Sequence, residues 1–249
     1  MDPFRKLLKK GNLLLGTLIS LASPEIAEIM ADAGFDWLFI DIEHSPMDVM
    51  DAQHILQAIG GRLAGIIRVP LNDEIWIKKS LDIGASGVMI PLVLTAEDAR
   101  RAVRYCKYPP QGMRSIGVGR AHHYGETLQQ TINTANEETA VIIQIEHITA
   151  VENIDAILAV EGIDAILVGP YDLSASMGLN GKVMDPQVQR SIERVRNACL
   201  QKKMPLGIFT ASVEQAREYA NRGFSLIAVS TDTLMLIEAA HGIVKSVRA

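Results

Sequence analysis

No apolar run in this chain is long enough to span a membrane. Arg5, Lys6, Lys9 and Lys10 make the N-terminus basic, but the apolar stretch behind them, Leu13 to Leu15, is too short for the core of a signal peptide. Cysteine is scarce. Cys106 and Cys199 are the only two, which excludes a disulfide framework and fits a reducing compartment. A basic surplus is missing as well: the net charge of −5 argues against a broad nucleic-acid surface. No linker, charge block or low-complexity segment divides the chain. These absences predict a soluble, cytoplasmic protein with no nucleic-acid or membrane partner, folded as one domain over residues 1–249, a length that α/β barrels commonly fill.

What is present alternates. Short apolar runs recur at Leu14–Ser20, Trp37–Asp41, Gly65–Arg68, Gly87–Pro91, Val141–Ile145, Ala165–Val168, Leu206–Phe209 and Leu226–Val229. They are continuous rather than alternating, as strands buried on both faces require. Amphipathic segments lie between them: Pro24–Ala33, Met47–Ile59, Ile75–Asp82, Ala96–Tyr105, Ala150–Ala159, Pro186–Lys202 and Val213–Asn221. Pro24 and Pro186 suit first helical turns, Asp185 suits a cap, and Gly34, Gly84, Gly162 and Gly223 follow helix ends. Eight strands in strict alternation with helices predict a (β/α)₈ barrel, an α/β TIM barrel. A doubly wound sheet is disfavoured because no G-x-G-x-x-G follows the first strand. The longest irregular stretch, Lys107–Gly125, is of a length that usually marks function or mobility.

In such a barrel the chemistry gathers at the C-terminal ends of the strands. That edge carries Asp41, Glu43 and His44 after strand two, and Arg68 at the end of strand three. It adds Glu146 after strand five, Asp172 after strand six and Asp232 after strand eight. Glu146 and Asp172 are 172 − 146 = 26 residues apart, about one strand–helix–strand unit, so they leave neighbouring strands on the same edge. Two adjacent carboxylates with few other donors suit Mg²⁺ or Mn²⁺, which keep water or substrate oxygens in their remaining positions. The competing reading is that each merely caps a helix. His44 beside a carboxylate has the form of a general base, or else of a local hydrogen-bonding group. Arg68 has the form of an oxyanion donor, or of an ion pair with Asp41 or Glu43. Gln144 either reaches substrate, holds Glu146 or is a satisfied core amide. His122 and His123 lack a third ligand at matching spacing, and Asp82, late in its helix, reads as a solvated residue.

Two further absences narrow the chemistry. No lysine ends a candidate strand, which disfavours a Schiff-base aldolase. The loops Thr210-Ala211-Ser212 and Ser230-Thr231-Asp232 lack the glycines of a barrel phosphate site. An unphosphorylated substrate follows.

Ordered motifs run through most of the chain. They are Phe35-Asp36-Trp37, Asp41-Ile42-Glu43-His44-Ser45-Pro46, Arg68-Val69-Pro70, Leu81-Asp82-Ile83-Gly84 and Ile90-Pro91-Leu92-Val93. Tyr108-Pro109-Pro110-Gln111-Gly112-Met113-Arg114, Gln144-Ile145-Glu146, Gly169-Pro170-Tyr171-Asp172-Leu173-Ser174 and Met177-Gly178 complete the set. In these the chain resembles the HpcH/HpaI aldolase family, the metal-dependent (class II) 2-oxo-acid aldolases. The resemblance implies a (β/α)₈ barrel with a divalent metal, Mg²⁺ or Mn²⁺ with Co²⁺ or Zn²⁺ as further options, on Glu146 and Asp172. It implies pyruvate bound near Gln144, Gly169, Pro170 and Tyr171, Arg68 on the enolate oxygen, and His44 supported by Asp41 in acid–base work. It also implies that Asp82 serves a neighbouring subunit's site, in a homo-oligomer built as a hexamer, a trimer of dimers. In such assemblies the last helix, here about Thr231–Val247, is exchanged between subunits. Ile42 and Tyr171 stand where some relatives have glycine and alanine, and Gly119–Gly125 also differs, so the aldehyde is what the resemblance specifies least.

The reaction so implied is reversible cleavage of a 4-hydroxy-2-oxo acid into pyruvate and an aldehyde, by a carbon–carbon lyase acting on small molecules. The alternatives keep the fold and metal but break another bond, as a CoA-ester lyase or an oxaloacetate decarboxylase. A metabolite-binding barrel without turnover is the reading from another class.

Overall fold

Five of the apolar runs are buried at every position, and it is these that become the walls of the site. They are strands β2 (Trp37–Asp41), β3 (Ala64–Arg68), β4 (Gly87–Ile90), β5 (Ala140–Ile145) and β6 (Ala165–Val168). With β1 (Leu14–Ile19), β7 (Leu206–Thr210) and β8 (Leu226–Thr231) they close into one parallel barrel in sequence order. The structure is a computed structural model, and it describes residues 2–248. Parallel strands joined by helices are the arrangement that lets a sheet be covered on both faces. The expected (β/α)₈ barrel is therefore what the chain forms, with Asp185 capping its helix through the Gln187 N–H at 2.8 Å.

Side-chain direction alternates along each strand. Trp37, Phe39, Ile66, Met89, Ile142, Leu167 and Ala228 point inward and fill the barrel interior. Leu38, Ile40, Ile67, Val88, Ile143 and Ile166 point outward and pack beneath the helices. The same parity, one step up each strand, aims Asp41, Arg68 and Gln144 into the barrel mouth. Asp41 and Arg68 are register partners on adjacent strands.

A helix at Phe4–Lys10, absent from the predicted elements, closes the foot of the barrel with Phe4 and Leu8. Arg5 Nε lies 2.5 Å from Asp164, and Lys107, buried beside them, donates to the carbonyls of Asn136 and Thr139 at 2.9 and 2.8 Å. Burial pushes the Lys107 ammonium down to about 8, against the attraction of Asp164.

Two more helices differ from expectation. Leu128–Glu138 forms although only Ala135 in it is buried, so no apolar stripe announced it. The helix expected over Ala150–Ala159 is instead two short ones, Ile148–Glu152 and Ile154–Ile157, broken at Asn153, whose side chain bonds Leu94 O at 2.9 Å. The last helix, Asp232–Arg248, carries its apolar stripe into solvent: Leu236, Ile237, Ile243, Val244 and Val247 are all exposed. Among the described residues, no helix is long and apolar enough to cross a membrane.

Candidate active site

Arg68 organises the mouth. Its side chain is 7% exposed, and its Nε and Nη2 donate to the two oxygens of Asp41 at 3.0 and 2.7 Å, a bidentate fork. The Nε also lies 3.1 Å from Glu43 Oε2, and the guanidinium rests 4.9 Å above the centre of the Phe39 ring. Asp41 Oδ1 accepts two further bonds, from the backbone N–H groups of Glu43 and His44 at 3.0 and 3.3 Å. Asp41 is thus occupied by Arg68 and the β2 turn, and no hydrogen bond joins it to the His44 ring. The carboxylate beside the imidazole in this structure is Glu43, with 3.8 Å between His44 Nε2 and Oε2. Register explains it, because inward parity sends Asp41 toward Arg68 while His44 lies beyond the strand with its ring 61% exposed.

Glu146 is the other buried anchor. Its Oε1 accepts the Leu92 N–H at 2.8 Å, and its Oε2 accepts from the Gln144 amide. Leu92 adopts φ 52, a left-handed conformation leucine seldom takes, and this turn is what aims its N–H inward. Gly169 borders the pair. A Cβ there would sit 3.0 Å from Gln144 Nε2 and 3.1 Å from Glu146 Cβ. Gly169→Ala is therefore expected to displace the Gln144–Glu146 pair and weaken Mn²⁺ affinity about 10–100-fold, as disturbed outer-shell contacts do. Calorimetric titration beside a melting curve checks this, and unchanged affinity in a folded variant contradicts it.

Pro170 opens a helix over Pro170–Ser176, and Asp172 stands exposed in its first turn. The Tyr171 ring packs against Phe209 with centroids 6.2 Å apart. Asp172 acts electrostatically on both Glu43 and Glu146, so the three carboxylates share one field. Burial, first of all, pushes Glu43 up to about 7. Arg68 opposes the rise, and the negative charges of Asp41 and Asp172 add to it. Burial likewise pushes Glu146 up to about 7, opposed by the Leu92 N–H and reinforced by Glu43 and Asp172.

Four carboxylates around one guanidinium leave an excess of negative charge, and the Oε1 of Gln144 is buried with no donor. Both observations fit a divalent cation. Among the described residues no three His, Cys, Asp or Glu side chains form a ready-made metal cage. A raised carboxylate favours the fold when protonated: its destabilising effect sets in as pH rises above 4.5 and is complete above about 7. A cation reverses the penalty. Without metal the melting temperature is expected to fall between pH 5 and pH 8, and saturating Mn²⁺ to raise it more at pH 8 than at pH 5. Equal gains at both pH values would contradict the fit.

The remaining candidates lie elsewhere. Asp82, at the end of its helix, pairs with Arg114 at 2.7 Å and borders a groove of about 600 Å³ with Asp48, Trp76 and Tyr124, away from Arg68 and Glu146. His122 is buried with its Nε2 3.0 Å from the Tyr108 hydroxyl, while His123 is exposed, so the two do not pair around a metal. Asp232 is structural: it accepts from Ser20 and from the N–H of Leu21, tying β8 to β1. Glu43, named at this edge only as an ion-pair partner of Arg68, and the Leu92 N–H, not named at all, both adjoin the site. Parity could have flagged neither, since both lie beyond strand ends.

A family model described as HpcH/HpaI aldolase/citrate lyase matches residues 15–239. The chain belongs to the HpcH/HpaI aldolase/citrate lyase family. A hydroxypyruvate/pyruvate aldolase of Roseobacter denitrificans is 39% identical to it over 98% of this chain and 96% of that one. A 4-hydroxy-2-oxo-heptane-1,7-dioate aldolase of Escherichia coli is 37% identical over 97% of this chain and 93% of that one. The crystal structure of an HpcH/HpaI aldolase/citrate lyase family protein from Burkholderia cenocepacia J2315 superposes with a TM-score of 0.96 at 35% identity, covering 100% of both chains. The HpcH/HpaI match takes in every residue of the mouth, from Asp41 to Asp172.

Proposed function

We propose that the protein is a divalent-metal-dependent aldolase that reversibly cleaves 4-hydroxy-2-oxo acids into pyruvate and an aldehyde. The observation that carries this is the mouth itself, where one buried arginine and an excess of carboxylates, Glu146 and Asp172 among them, converge. Glu146 and Asp172 would hold Mg²⁺ or Mn²⁺, which when bound supplies Lewis-acid polarisation of the 2-oxo group.

The chain's own residues supply the rest. Arg68 commits Nε and Nη2 to Asp41 and Glu43, which fixes the plane of the fork and leaves Nη1 for the oxygen on C2. His44 takes the C4 hydroxyl proton. As C4 becomes the aldehyde carbonyl, the C3–C4 electrons pass into the C2–C3 bond and charge collects on the C2 oxygen, facing Arg68. A proton returned to C3 completes pyruvate. Glu43, 3.8 Å from the imidazole, favours its protonated state during the transfer. The Tyr171 and Asp172 N–H groups, in the first turn of their helix, have no partner carbonyl within it and are free for the pyruvate carboxylate. Gln144 holds Glu146, and Gly169 and Pro170 give the turn its close approach.

Asp82 takes part through a neighbouring copy in this reading, since its own barrel keeps it away from the mouth. The bare apolar face of Asp232–Arg248 supports a homo-oligomer in which that helix packs on a partner, a hexamer by resemblance. The enzyme acts in the cytoplasm on small molecules.

Pyruvate release measured over a panel of 4-hydroxy-2-oxo acids, oxaloacetate and CoA esters tests the bond broken. Metal-dependent release from the hydroxy-oxo acids is expected. Turnover confined to oxaloacetate or to CoA esters would overturn it.

A further inference from the structure

The mouth has two unlike halves. The charged side chains that this chain aims into it come from the ends of β2, β3, β5 and β6 and the turns beyond them, while Asp232, at the end of β8, is tied to Ser20 and Leu21. The inward positions near the tops of β1, β7 and β8 are Leu18, Phe209 and Ser230, none of which titrates. Burial divides the same way: β2 to β6 are closed at every position, whereas Leu18, Phe209 and Ser230 remain partly open. Tyr171 completes the uncharged half. The residue is 42% exposed, and its ring is tilted 56° on Phe209 at 6.2 Å.

This apolar wall adjoins the chemistry at both ends. Tyr171 is the immediate neighbour of Asp172. Leu18 is the register partner of Phe39, whose ring lies 4.9 Å beneath the Arg68 guanidinium. A partly open aromatic and aliphatic surface beside a polar reaction centre is the usual form of a substrate pocket. Charge sets what it admits. Arg68 is already paired with Asp41 and Glu43 and, in the reading above, keeps only Nη1, for the C2 oxygen. The inward positions of β1, β7 and β8 offer no lysine or arginine to hold a second anion.

We propose that Tyr171, with Phe209 and Leu18, selects the acceptor: uncharged aldehydes bearing an alkyl or aryl group are taken in preference to aldehydes ending in a carboxylate. The selection rests on the pyruvate-aldolase reading above and names the substrate class of that same site. Tyr171 contributes through its ring face, so its hydroxyl is dispensable.

The test is aldol addition to pyruvate with two acceptors of equal length, butanal and succinate semialdehyde, scored as the ratio of their kcat/KM values. The wild type is expected to favour butanal by about tenfold or more, the scale of discrimination by an apolar pocket. Tyr171→Phe is expected to keep that ratio, Tyr171→Ala to bring it near one, and Tyr171→Arg to shift it toward succinate semialdehyde. A wild-type preference for succinate semialdehyde, or the same ratio in all variants, overturns the proposal. Deuterium exchange of the pyruvate methyl group in the wild type, with no aldehyde present, separates the two levels. Exchange without acceptor selectivity sinks the selection alone. No exchange sinks the enolate reading and the selection with it.

Discussion

Arg68→Ala is expected to lower kcat on the order of 10²–10³-fold, the usual loss when one preorganised donor to a developing oxyanion is removed. The guanidinium is held in place before substrate arrives, by the Asp41 fork and by Phe39 beneath it. That preorganisation is why the effect falls on kcat rather than on KM alone. The same substitution strands the buried Asp41 and the half-buried Glu43, and losing one partner of a buried pair typically costs about 3–5 kcal/mol of stability. Arg68→Lys separates the two effects. Lysine keeps the charge beside Asp41 and Glu43 but cannot reproduce the fork, so stability is expected to return in large part and turnover is not. Steady-state rates beside melting curves decide it. Near-wild-type kcat in a folded Arg68→Ala protein would remove Arg68 from the reaction.

The Glu146→Ala/Asp172→Ala double variant is expected to show no saturable Mn²⁺ binding by calorimetry and turnover at background. Glu146 is buried and fixed at both oxygens, by the Leu92 N–H and the Gln144 amide, whereas Asp172 is exposed at the start of its helix. Glu146 is therefore expected to be the stronger anchor, and Glu146→Ala alone to lose more affinity than Asp172→Ala alone. Removing both deletes the raised carboxyl of Glu146 itself and the Asp172 charge that adds to the burial-driven rise of Glu43, so the metal-free double variant is expected to lose less stability between pH 5 and pH 8 than the wild type. Stoichiometric Mn²⁺ binding retained by the double variant would place the ion elsewhere.

The barrel was legible because strands buried on both faces leave continuous apolar runs, and all eight runs became strands, with no end shifted by more than two residues. Thr210 and Thr231 were missed at strand ends because polar residues there look like turn. The foot helix Phe4–Lys10 was missed because only two of its residues are buried, and they meet the barrel interior rather than a helix layer. In the site, Asp41 and Arg68 were legible from their place at the ends of strands, and the fixed period of a strand explains why they and Gln144 face inward. Its reach stops where the strand stops. The carboxylate nearest the His44 ring, Glu43, is its neighbour in sequence, whereas Asp41 is turned inward to Arg68. The Leu92 N–H that holds Glu146 depends on one left-handed residue between β4 and the next helix. Asp82 had no signal within its own chain, and its pairing with Arg114 bridges 32 residues of sequence.

The most direct measurement is deuterium exchange of the pyruvate methyl group followed by NMR, with and without Mn²⁺ or Mg²⁺, for the wild type and Glu146→Ala. It isolates enolate formation and needs no knowledge of the aldehyde. Exchange that requires a divalent ion and vanishes in Glu146→Ala is expected. No exchange with any divalent ion, or exchange that persists unchanged in Glu146→Ala, would contradict a metal-dependent pyruvate aldolase built on this mouth.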